Sequence, residues 1–180
     1  MSEAETAGSP ASEAIPAMAG VTVPYRIVRT EPARSAEESA AFQGIELGSL
    51  LRTIVVRRGE DDYVFVLVPG GRRFDWPKLR AHLGVNRLSL PDAEEARAVT
   101  GYERGAITPF GSTRAWQVIV DASAMVRPVV AIGGGVRGTN VHLAPTDLVR
   151  ALDAAVIDVT VPEDANEPAG GGSAAPASAG

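Results

Sequence analysis

Cysteine is absent from the 180-residue chain. Its absence excludes disulfides, thiolate metal sites and a cysteine nucleophile. The chain also lacks an apolar run of the roughly 20 residues that cross a bilayer. Residues 1–20 have neither the basic start nor the apolar stretch of a secretory signal, and no spacing of histidine, aspartate and glutamate suggests a zinc site. We therefore expect a cytoplasmic protein with no metal, no other cofactor and no membrane partner.

The centre of the chain has almost no excess of positive or negative charge. The formal net charge is −5, from 17 basic and 22 acidic residues. Six of the acids lie in residues 1–20 and 162–180, which contain no lysine or arginine, so the centre holds 16 acids and carries a charge of +1. A near-neutral domain lacks the strong basic bias of a general DNA-binding protein, and we expect no DNA partner. Local arginine clusters can still bind phosphates.

Large apolar residues are scarce at both ends of the chain. Residues 162–180 consist mainly of proline, glycine, alanine and serine, and such a segment cannot bury enough surface to offset the entropy lost on ordering. Residues 1–20 are almost as poor. The sequence predicts a disordered acidic N-terminal tail over residues 1–20, one domain over residues 21–161 and a disordered C-terminal tail over residues 162–180.

Short runs of β-branched and aromatic residues in the centre predict strands. These runs are "YRIVR", "TIVVRRG", "DYVFVLVPG", "WQVIVD", "PVVAIGG", "TNVHLA" and "AVIDVT". Capping residues predict helices: Ser35 precedes Glu38 as in a capping box, and Asp75 precedes a helix that Gly84 can end. Two further helices are predicted in "PDAEEARAVTG" and "PTDLVRALDA". Because strands outnumber long helices and several are joined as hairpins, a single α+β domain fits better than a regular βαβ repeat.

The chain has two histidines, His82 and His142, which lie far apart in sequence. His82 falls at the end of a predicted helix and His142 within a predicted strand, so we favour structural or surface roles for both. No serine lies in a nucleophile elbow. None of these side chains marks an active site by its motif.

Two glycine-rich segments shape the backbone instead. The first, "GAITPFG" (Gly105–Gly111), contains no convincing nucleophile, proton shuttle or metal ligand. The second, "IGGGVRG" (Ile132–Gly138), matches neither the P-loop nor the dinucleotide-binding motif, and the residues after it predict a strand. On spacing alone it is either a tight turn or a place where a ligand approaches the main chain closely.

Four arginines form adjacent pairs beside predicted strands: Arg57 with Arg58, and Arg72 with Arg73. Such pairs are usually just solvated, and the residues alone favour that interpretation. They are also the commonest means of gripping a nucleic-acid backbone. Both interpretations stay open at this point.

Five segments follow one another in an order typical of one family. They are "LLRTIVV", "YVFVLVPGGRRFDWPKLRAHLGVNRLSL", "TGYERGAITPFG", "VIVDASAM" and "AIGGGVRGTNVHLAPTDLVRAL". Over residues 23–152 the chain resembles the YbaK/prolyl-tRNA-synthetase-associated family of aminoacyl-tRNA deacylases. The resemblance implies an α+β fold with a mixed, mostly antiparallel sheet that is curled into a partial barrel with surrounding helices.

The resemblance also implies an activity and a partner. Members of the family hydrolyse the ester that joins a small amino acid, typically cysteine or alanine, to the 3′ end of a mischarged tRNA, often tRNA-Pro. We therefore expect a freestanding deacylase that acts in trans on aminoacyl-tRNA. An aminoacyl-tRNA synthetase is a further candidate partner, and the oligomeric state, monomer or dimer, stays open.

The site residues follow from the same resemblance. The family's G-x-x-x-P loop matches Gly105–Pro109, and on this basis the N–H groups of Gly105 and Ala106 are catalytic, because they face the developing oxyanion. The substrate-binding residues implied are Thr53, Ile107, Thr108, Pro109, Phe110, Gly133, Gly134, Gly135 and Arg137. The nucleic-acid-binding residues, across which we expect the acceptor end to lie, are Arg57, Arg58, Arg72 and Arg73.

One position departs from the family pattern. The family carries a lysine in the motif K-T-[LIM]-[VI], whereas this chain has Arg52 there and a single lysine, Lys78, elsewhere. Arginine stays protonated and cannot be a general base, but it can hold a phosphate or ribose oxygen. Two alternatives follow: a deacylase in which Arg52 is a catalytic positioning group, or a non-catalytic binder of tRNA 3′ ends or of an aminoacyl-nucleotide-like ligand. An unrelated hydrolase with the same pocket is a weaker third.

Overall fold

The computed structural model describes residues 14–20 and 22–163. The helices of this described part are α1 (Ala14–Ala19), α2 (Ala36–Gln43), α3 (Trp76–Leu83), α4 (Ala93–Thr100) and α5 (Pro145–Leu152). Its strands are β1 (Arg26–Arg29), β2 (Leu51–Gly59), β3 (Asp62–Pro69), β4 (Arg72–Phe74), β5 (Gln117–Asp121), β6 (Val130–Gly133), β7 (Thr139–Leu143), β8 (Ala155–Ile157) and β9 (Thr160–Pro162). This mixture of helix and sheet in one domain confirms the predicted α+β class.

The helices begin and end at their capping residues. The Ser35 hydroxyl accepts a hydrogen bond from the Glu38 N–H at 3.0 Å, which begins α2. The Asp75 carboxylate accepts one from the Lys78 N–H at 3.2 Å, which begins α3. Gly84 ends α3 with a φ of 70°, in the left-handed region that glycine adopts readily. The predicted starts of α2 and α3 and the predicted end of α3 are confirmed.

The strands form three ladders. In the first, β7 lies between β1 and β6 and is antiparallel to both. The central sheet has the order β2-β3-β5-β8, with β2 antiparallel to β3 as the predicted hairpin and the β3–β5 and β5–β8 pairs parallel. The third pairs β4 with β9 antiparallel. The pairing is mixed and mostly antiparallel, as expected, but the sheet is not closed, and the expected partial barrel is not confirmed.

The central sheet separates two apolar clusters. Leu51 and Val55 of β2 belong to one cluster and Val56 to the other, because successive side chains of a strand point to opposite faces. Most of β3 is buried on both faces, which explains its unbroken apolar run. The first cluster also contains Ile107 and Ile132, so each glycine-rich segment is held to the core by a buried side chain. Burial of each such side chain contributes roughly 1.5–3 kcal/mol to stability.

One edge of β2 is largely unpaired. Leu50, just before this strand, forms a β-bridge with Ala131 of β6, and Arg57 near its far end forms a bridge with Ser89. In the described part of the chain no other strand pairing covers this edge between the two bridges. The backbone of β2 is therefore exposed at the place where the candidate site lies.

The described ends of the chain differ from the tail prediction. Helix α1 falls within the segment predicted to be disordered, yet its Ala14 and Met18 are fully buried in the first cluster. Met18 thus gives this part of the segment an apolar contact with the core. Residues 1–13 and 164–180 lie outside the described residues, and the tail predictions for them stay predictions.

The described residues contain neither a membrane-spanning helix nor a metal-binding cluster. None of the helices found there combines the length and the apolar character needed to cross a bilayer. Within the same residues, no cluster of three or more histidine, aspartate or glutamate side chains is placed to hold a metal ion.

Candidate functional site

A cavity of about 460 Å³ lies beside the unpaired edge of β2. The residues just before and within α2 form one part of its wall, and the two glycine-rich segments form another. Six residues that the sequence placed in the site line it: Arg52, Thr53, Gly105, Ile107, Gly133 and Arg137. The fold therefore brings together three segments that are separated by many residues in the sequence.

The first glycine-rich segment lines the cavity at a tight turn that contains Gly105. The Ala106 N–H donates to the Glu103 carbonyl at 2.9 Å, and Gly105 has a φ of +93°, as a type II turn requires at its third residue. Among the described residues, the Gly105 N–H has no hydrogen-bond acceptor. The turn thus leaves the Gly105 N–H available to a ligand and uses the Ala106 N–H internally.

The two glycine-rich segments are in contact. A Cβ atom added to Gly133 would lie 3.3 Å from the Ile107 carbonyl oxygen, so a larger residue there would require the two backbones to move slightly apart. A Cβ atom added to Gly105 would lie 3.1 Å from Nη2 of Arg137. The first glycine-rich segment is therefore exposed at Gly105 and lies next to the second segment.

Two other residues of the predicted substrate-binding set, Thr108 and Phe110, are buried and hold the first segment in place. Thr108 is fully buried, and its hydroxyl accepts a hydrogen bond from the Phe110 N–H at 3.3 Å. Phe110 is buried in the first cluster, and its carbonyl accepts the Tyr102 hydroxyl at 2.7 Å. The residues that do not line the cavity are Ala106, Thr108, Pro109, Phe110, Gly134 and Gly135. The catalytic role of Ala106 and the substrate-binding roles of the other five therefore stay predictions.

Gly134 and Gly135 illustrate the turn interpretation of the second segment. The Gly134 N–H donates to the Thr139 carbonyl at 2.8 Å, which closes the connection between β6 and β7. A Cβ atom at Gly134 would lie 2.8 Å from the Thr139 side chain, and Gly135 has a φ of +91°. The turn interpretation therefore holds for Gly134 and Gly135, whereas the approach of a ligand at Gly133, which lines the cavity, stays a prediction.

Arg52 lines the cavity and is also hydrogen bonded to the backbone of another strand. Its Nη2 donates to the Arg72 carbonyl at the start of β4. In the described part of the chain, the buried Nε of Arg52 and the buried hydroxyl of its neighbour Thr53 have no hydrogen-bond partner. A guanidinium has five N–H donors, so Arg52 keeps donors for a ligand while one bond fixes its direction.

Arg72, predicted to contact nucleic acid, makes hydrogen bonds and an ion pair inside the domain. Its guanidinium donates to the Thr160 hydroxyl at 2.7 Å and to the Thr160 carbonyl at 3.2 Å. Its Nε also lies 3.8 Å from a carboxylate oxygen of Asp121, a residue that is 1% exposed. Arg72 therefore joins β4, β5 and β9 within the domain, and its assignment to a nucleic-acid surface stays a prediction.

The other arginines of the predicted acceptor surface do not line the cavity. Arg58 forms a two-bond ion pair with Asp62 at 2.9 and 3.0 Å. Arg57 lies 3.8 Å from the Glu95 carboxylate and is five residues along β2 from Arg52, about 17 Å at the usual rise per strand residue. Arg73 lies on β4. This surface is thus separate from the cavity.

Sequence reasoning missed two arginines that do line the cavity, Arg34 and Arg104. Arg34 precedes the capping residue of α2, and Arg104 is the second residue of the turn that contains Gly105. A signal for Arg104 was present, since its Arg-Gly sequence recurs at Arg137-Gly138. Four arginines and one acidic residue, Glu31, make up the charged lining, so the cavity favours an anionic ligand.

The histidines lie elsewhere. His142 is buried on β7, and its Nε2 is hydrogen bonded to the Gln43 side-chain oxygen at 2.7 Å. Burial, with a smaller contribution from Arg26, lowers the pKa of His142 below its ordinary value of 6.5. His82 is exposed near the end of α3. Neither lines the cavity, and we retain the structural or surface interpretation of both.

The fold and the cavity together define a class of protein. It is a small α+β domain whose candidate site is made of backbone turns and arginines, with no cysteine, histidine or lysine among the lining residues described. The chain belongs to the aminoacyl-tRNA editing domain family, whose model matches residues 30–151. The resemblance noted in the sequence is thereby confirmed.

Individual relatives agree with this membership. The chain is 26% identical over 139 residues to the "Putative Cys-tRNA(Pro)/Cys-tRNA(Cys) deacylase EbsC" of Enterococcus faecalis, covering 77% of this chain and 85% of that protein. It is 30% identical over 108 residues to a proline–tRNA ligase of Thermosipho melanesiensis, covering 60% of this chain but only 19% of the ligase. A crystal structure of a "putative trans-editing enzyme for prolyl tRNA synthetase" superposes with a TM-score of 0.71 at 28% identity, covering 76% of this chain and 87% of that one.

Proposed function

We propose that this protein is a freestanding aminoacyl-tRNA deacylase that acts in trans in the cytoplasm. Its substrate is a mischarged tRNA that carries a small amino acid such as cysteine or alanine, with tRNA-Pro as the first candidate. Family membership supports the reaction class, and the name of the Enterococcus relative supports the choice of tRNA. An aminoacyl-tRNA synthetase is the partner that would supply the mischarged substrate.

The observation that carries the proposal is the convergence of Arg52, Gly105 and Gly133 on one cavity. An aminoacyl ester is already activated, so its hydrolysis needs a placed water and donors for the oxyanion more than it needs a nucleophilic side chain. The Gly105 N–H and the remaining donors of Arg52 are suited to bind the ester and its developing oxyanion.

The proposed reaction proceeds by direct attack of water. The water oxygen bonds to the ester carbonyl carbon, and negative charge develops on the carbonyl oxygen. The Gly105 N–H donates to that oxygen, while Ala106, which the sequence also assigned to this role, supports the turn through its bond to Glu103. The ester C–O bond then breaks, and a proton from the water reaches the departing ribose oxygen. The products are the free amino acid and tRNA with its terminal hydroxyl restored.

Arg52 positions the substrate in this mechanism. Its permanently charged guanidinium cannot accept the proton of the water. Its remaining donors can hold a phosphate or ribose oxygen of the terminal nucleotide in a fixed direction, because Nη2 is tied to the Arg72 carbonyl. Thr53, whose hydroxyl is buried without a protein partner in the described residues, is the neighbouring substrate-binding group.

The second candidate is a non-catalytic binder of tRNA 3′ ends or of an aminoacyl-nucleotide-like ligand. The observation that favours it is Arg52 itself, because the family carries a lysine at this position. In a binder the same cavity would hold the ligand without placing a water.

A panel of tRNAs, each charged with cysteine, alanine, serine or proline, tests the two candidates. We expect the purified protein to release the amino acid from at least one mischarged tRNA-Pro faster than buffer does, and to leave prolyl-tRNA-Pro intact. Release from none of them, together with measurable binding, would establish the binder and overturn the deacylase. Equal release from every charged tRNA would overturn the editing function.

A further inference from the structure

Two turns of the same sequence and shape meet at the rim of the cavity. Arg104-Gly105 and Arg137-Gly138 are each the central pair of a β-turn, closed by hydrogen bonds of 2.9 and 3.0 Å between the flanking residues. The glycines have φ values of +93° and +85°, the conformation that glycine adopts without strain. Each turn therefore presents its arginine side chain from a fixed backbone.

The arginine of one turn touches the other turn. Nη2 of Arg137 lies 3.1 Å from the position that a Cβ atom would occupy on Gly105, the residue after Arg104. Both arginines are exposed, and both line the cavity. The two guanidinium groups thus belong to one continuous rim.

Neither guanidinium is neutralised within residues 14–20 and 22–163. Arg104 donates to the Pro91 carbonyl at 3.1 Å, and Arg137 has neither a hydrogen bond nor an ion pair to a described residue. By contrast, several other arginines each lie within 4.0 Å of a carboxylate oxygen, among them Arg34, Arg57, Arg58, Arg72, Arg97, Arg127 and Arg150. Two like charges held at one rim without acidic partners attract an anion.

We propose that Arg104 and Arg137 form a phosphate clamp, and that it binds one phosphodiester of an RNA 3′ strand whose terminal nucleoside enters the cavity. A phosphate offers the paired oxygens that planar guanidinium groups recognise. This assignment moves the nucleic-acid contact from the Arg57, Arg58, Arg72 and Arg73 surface to the cavity rim. The choice of RNA rests on the proposed function, whereas the anion site does not.

Binding of an uncharged RNA hairpin ending in CCA tests the clamp without any need for catalysis. Dissociation constants would be measured by fluorescence anisotropy over a series of KCl concentrations for the full chain and for Arg104→Gln and Arg137→Gln. We expect each substitution to weaken binding about tenfold at low salt. The double variant should reduce the log–log salt slope by about 0.7, the value for one phosphate contact of a single strand.

Matched variants separate the clamp from general charge effects and from misfolding. Arg150→Gln, which removes an exposed arginine of α5 outside the cavity lining, should bind RNA as the parent does. Arg104→Lys and Arg137→Lys keep the charge and should retain most of the salt slope while losing part of the affinity. Unchanged thermal unfolding of the glutamine variants is expected, because both side chains are exposed.

The outcomes distinguish the clamp from the deacylase. If both glutamine variants bind the hairpin with the parent's affinity and slope, the clamp is wrong even where ester hydrolysis is found. If the parent hydrolyses no ester but the variants lose RNA affinity, the deacylase fails and the clamp stands. If adenosine monophosphate binds as tightly as the hairpin and the variants weaken both equally, the anion site serves a free nucleotide, and its assignment to an RNA strand is overturned.

Discussion

At position 52 the side chain itself decides which chemical roles are open. A lysine can lose its proton in a buried site, whereas arginine remains charged and presents a planar set of donors. The bond from Arg52 to the Arg72 carbonyl fixes that plane beside the cavity. The residue is therefore suited to hold an oxygen of the substrate rather than to move a proton.

Replacing Arg52 tests this role. Arg52→Ala should lower kcat/KM for the best mischarged tRNA by about 100-fold, because a positioning contact of this kind is lost. Arg52→Lys should retain a substantial part of the parent's activity, since the charge is kept and the family carries lysine here. A steady-state deacylation assay measures both. Parent-like hydrolysis by Arg52→Ala would show that the assigned role is wrong.

The backbone at Gly105 permits a second test at the residue scale. Gly105→Ala places a Cβ on a residue with a φ of +93° and 3.1 Å from Arg137. We expect a loss of stability of about 1–2 kcal/mol from the strained backbone and a loss of deacylation beyond it, because the turn that presents the Gly105 N–H is displaced. Urea unfolding and the deacylation assay measure the two effects.

Gly84→Ala is the matched control for Gly105→Ala. Gly84 has a φ of +70°, and a Cβ added there would meet no atom within 4 Å. It ends α3 and does not line the cavity. The same backbone strain should therefore cost similar stability and leave kcat/KM unchanged. If both variants lose activity in proportion to their stability, Gly105 has no special role in the reaction.

At the scale of elements, a buried polar cluster joins strands of the central and third sheets. The Asp121 carboxylate, at the end of β5, accepts the Val159 N–H at 2.9 Å and the Ser123 N–H at 3.1 Å. Arg72 of β4 lies 3.8 Å from the same carboxylate and holds Arg52 through its carbonyl. The orientation of the cavity arginine therefore depends on a carboxylate on another strand.

Asp121→Asn should destabilise the domain by about 2–3 kcal/mol. The amide removes the charge opposite Arg72 and replaces one acceptor oxygen with a donor, and unpaired buried groups are costly. The loss is set below that of a fully buried pair because Arg72 is 28% exposed. Chemical denaturation measures it.

Asp62→Asn provides the comparison for Asp121→Asn. Asp62 is 43% exposed in its ion pair with Arg58, and such surface pairs contribute at most about 1 kcal/mol. If Asp62→Asn proves as destabilising as Asp121→Asn, burial does not determine the strength of these pairs, and the cluster has no special part in holding β4.

At the scale of the whole molecule, the stability of the folded protein at low pH depends on His142, which is connected by hydrogen bonds to a residue of the cavity wall. Its hydrogen bond to Gln43 ties β7 to α2, and the Gln43 amide donates to the Ser39 hydroxyl at 2.9 Å. Ser39 lines the cavity. Burial disfavours protonation of the His142 ring in the folded protein. Lowering the pH therefore shifts the folding equilibrium towards the unfolded chain.

Stability should therefore fall as the pH falls below 6.5, the ordinary pKa of histidine. Because the pKa of His142 is lowered in the folded protein, the unfolded chain binds more protons in that range, and the stabilisation present above it is lost. Thermal unfolding at pH 7.5 and pH 5.0 measures the change. His142→Gln should show a smaller decrease than the parent, and His82→Gln, on exposed α3, is the control. An equal decrease in all three proteins would exclude His142 as the source.

Local chemistry allowed the sequence by itself to determine several elements. Ser35 and Asp75 cap their helices through bonds to residues three positions later, so the starts of α2 and α3 follow from short stretches of chain. The β2–β3 hairpin and the two glycine-rich segments were likewise visible, because β-branched runs and glycines have strong local preferences.

Only the tertiary structure decided which arginines line the cavity. All sixteen arginines have the same chemistry in the sequence, but their surroundings come from strands that are distant along the chain. Arg72 meets Asp121 and Thr160 and turns inward, whereas Arg137 lies against the turn at Gly105 and both Arg104 and Arg137 line the cavity. Availability for binding depends on burial and on remote partners, and neither is encoded in the residues next to an arginine.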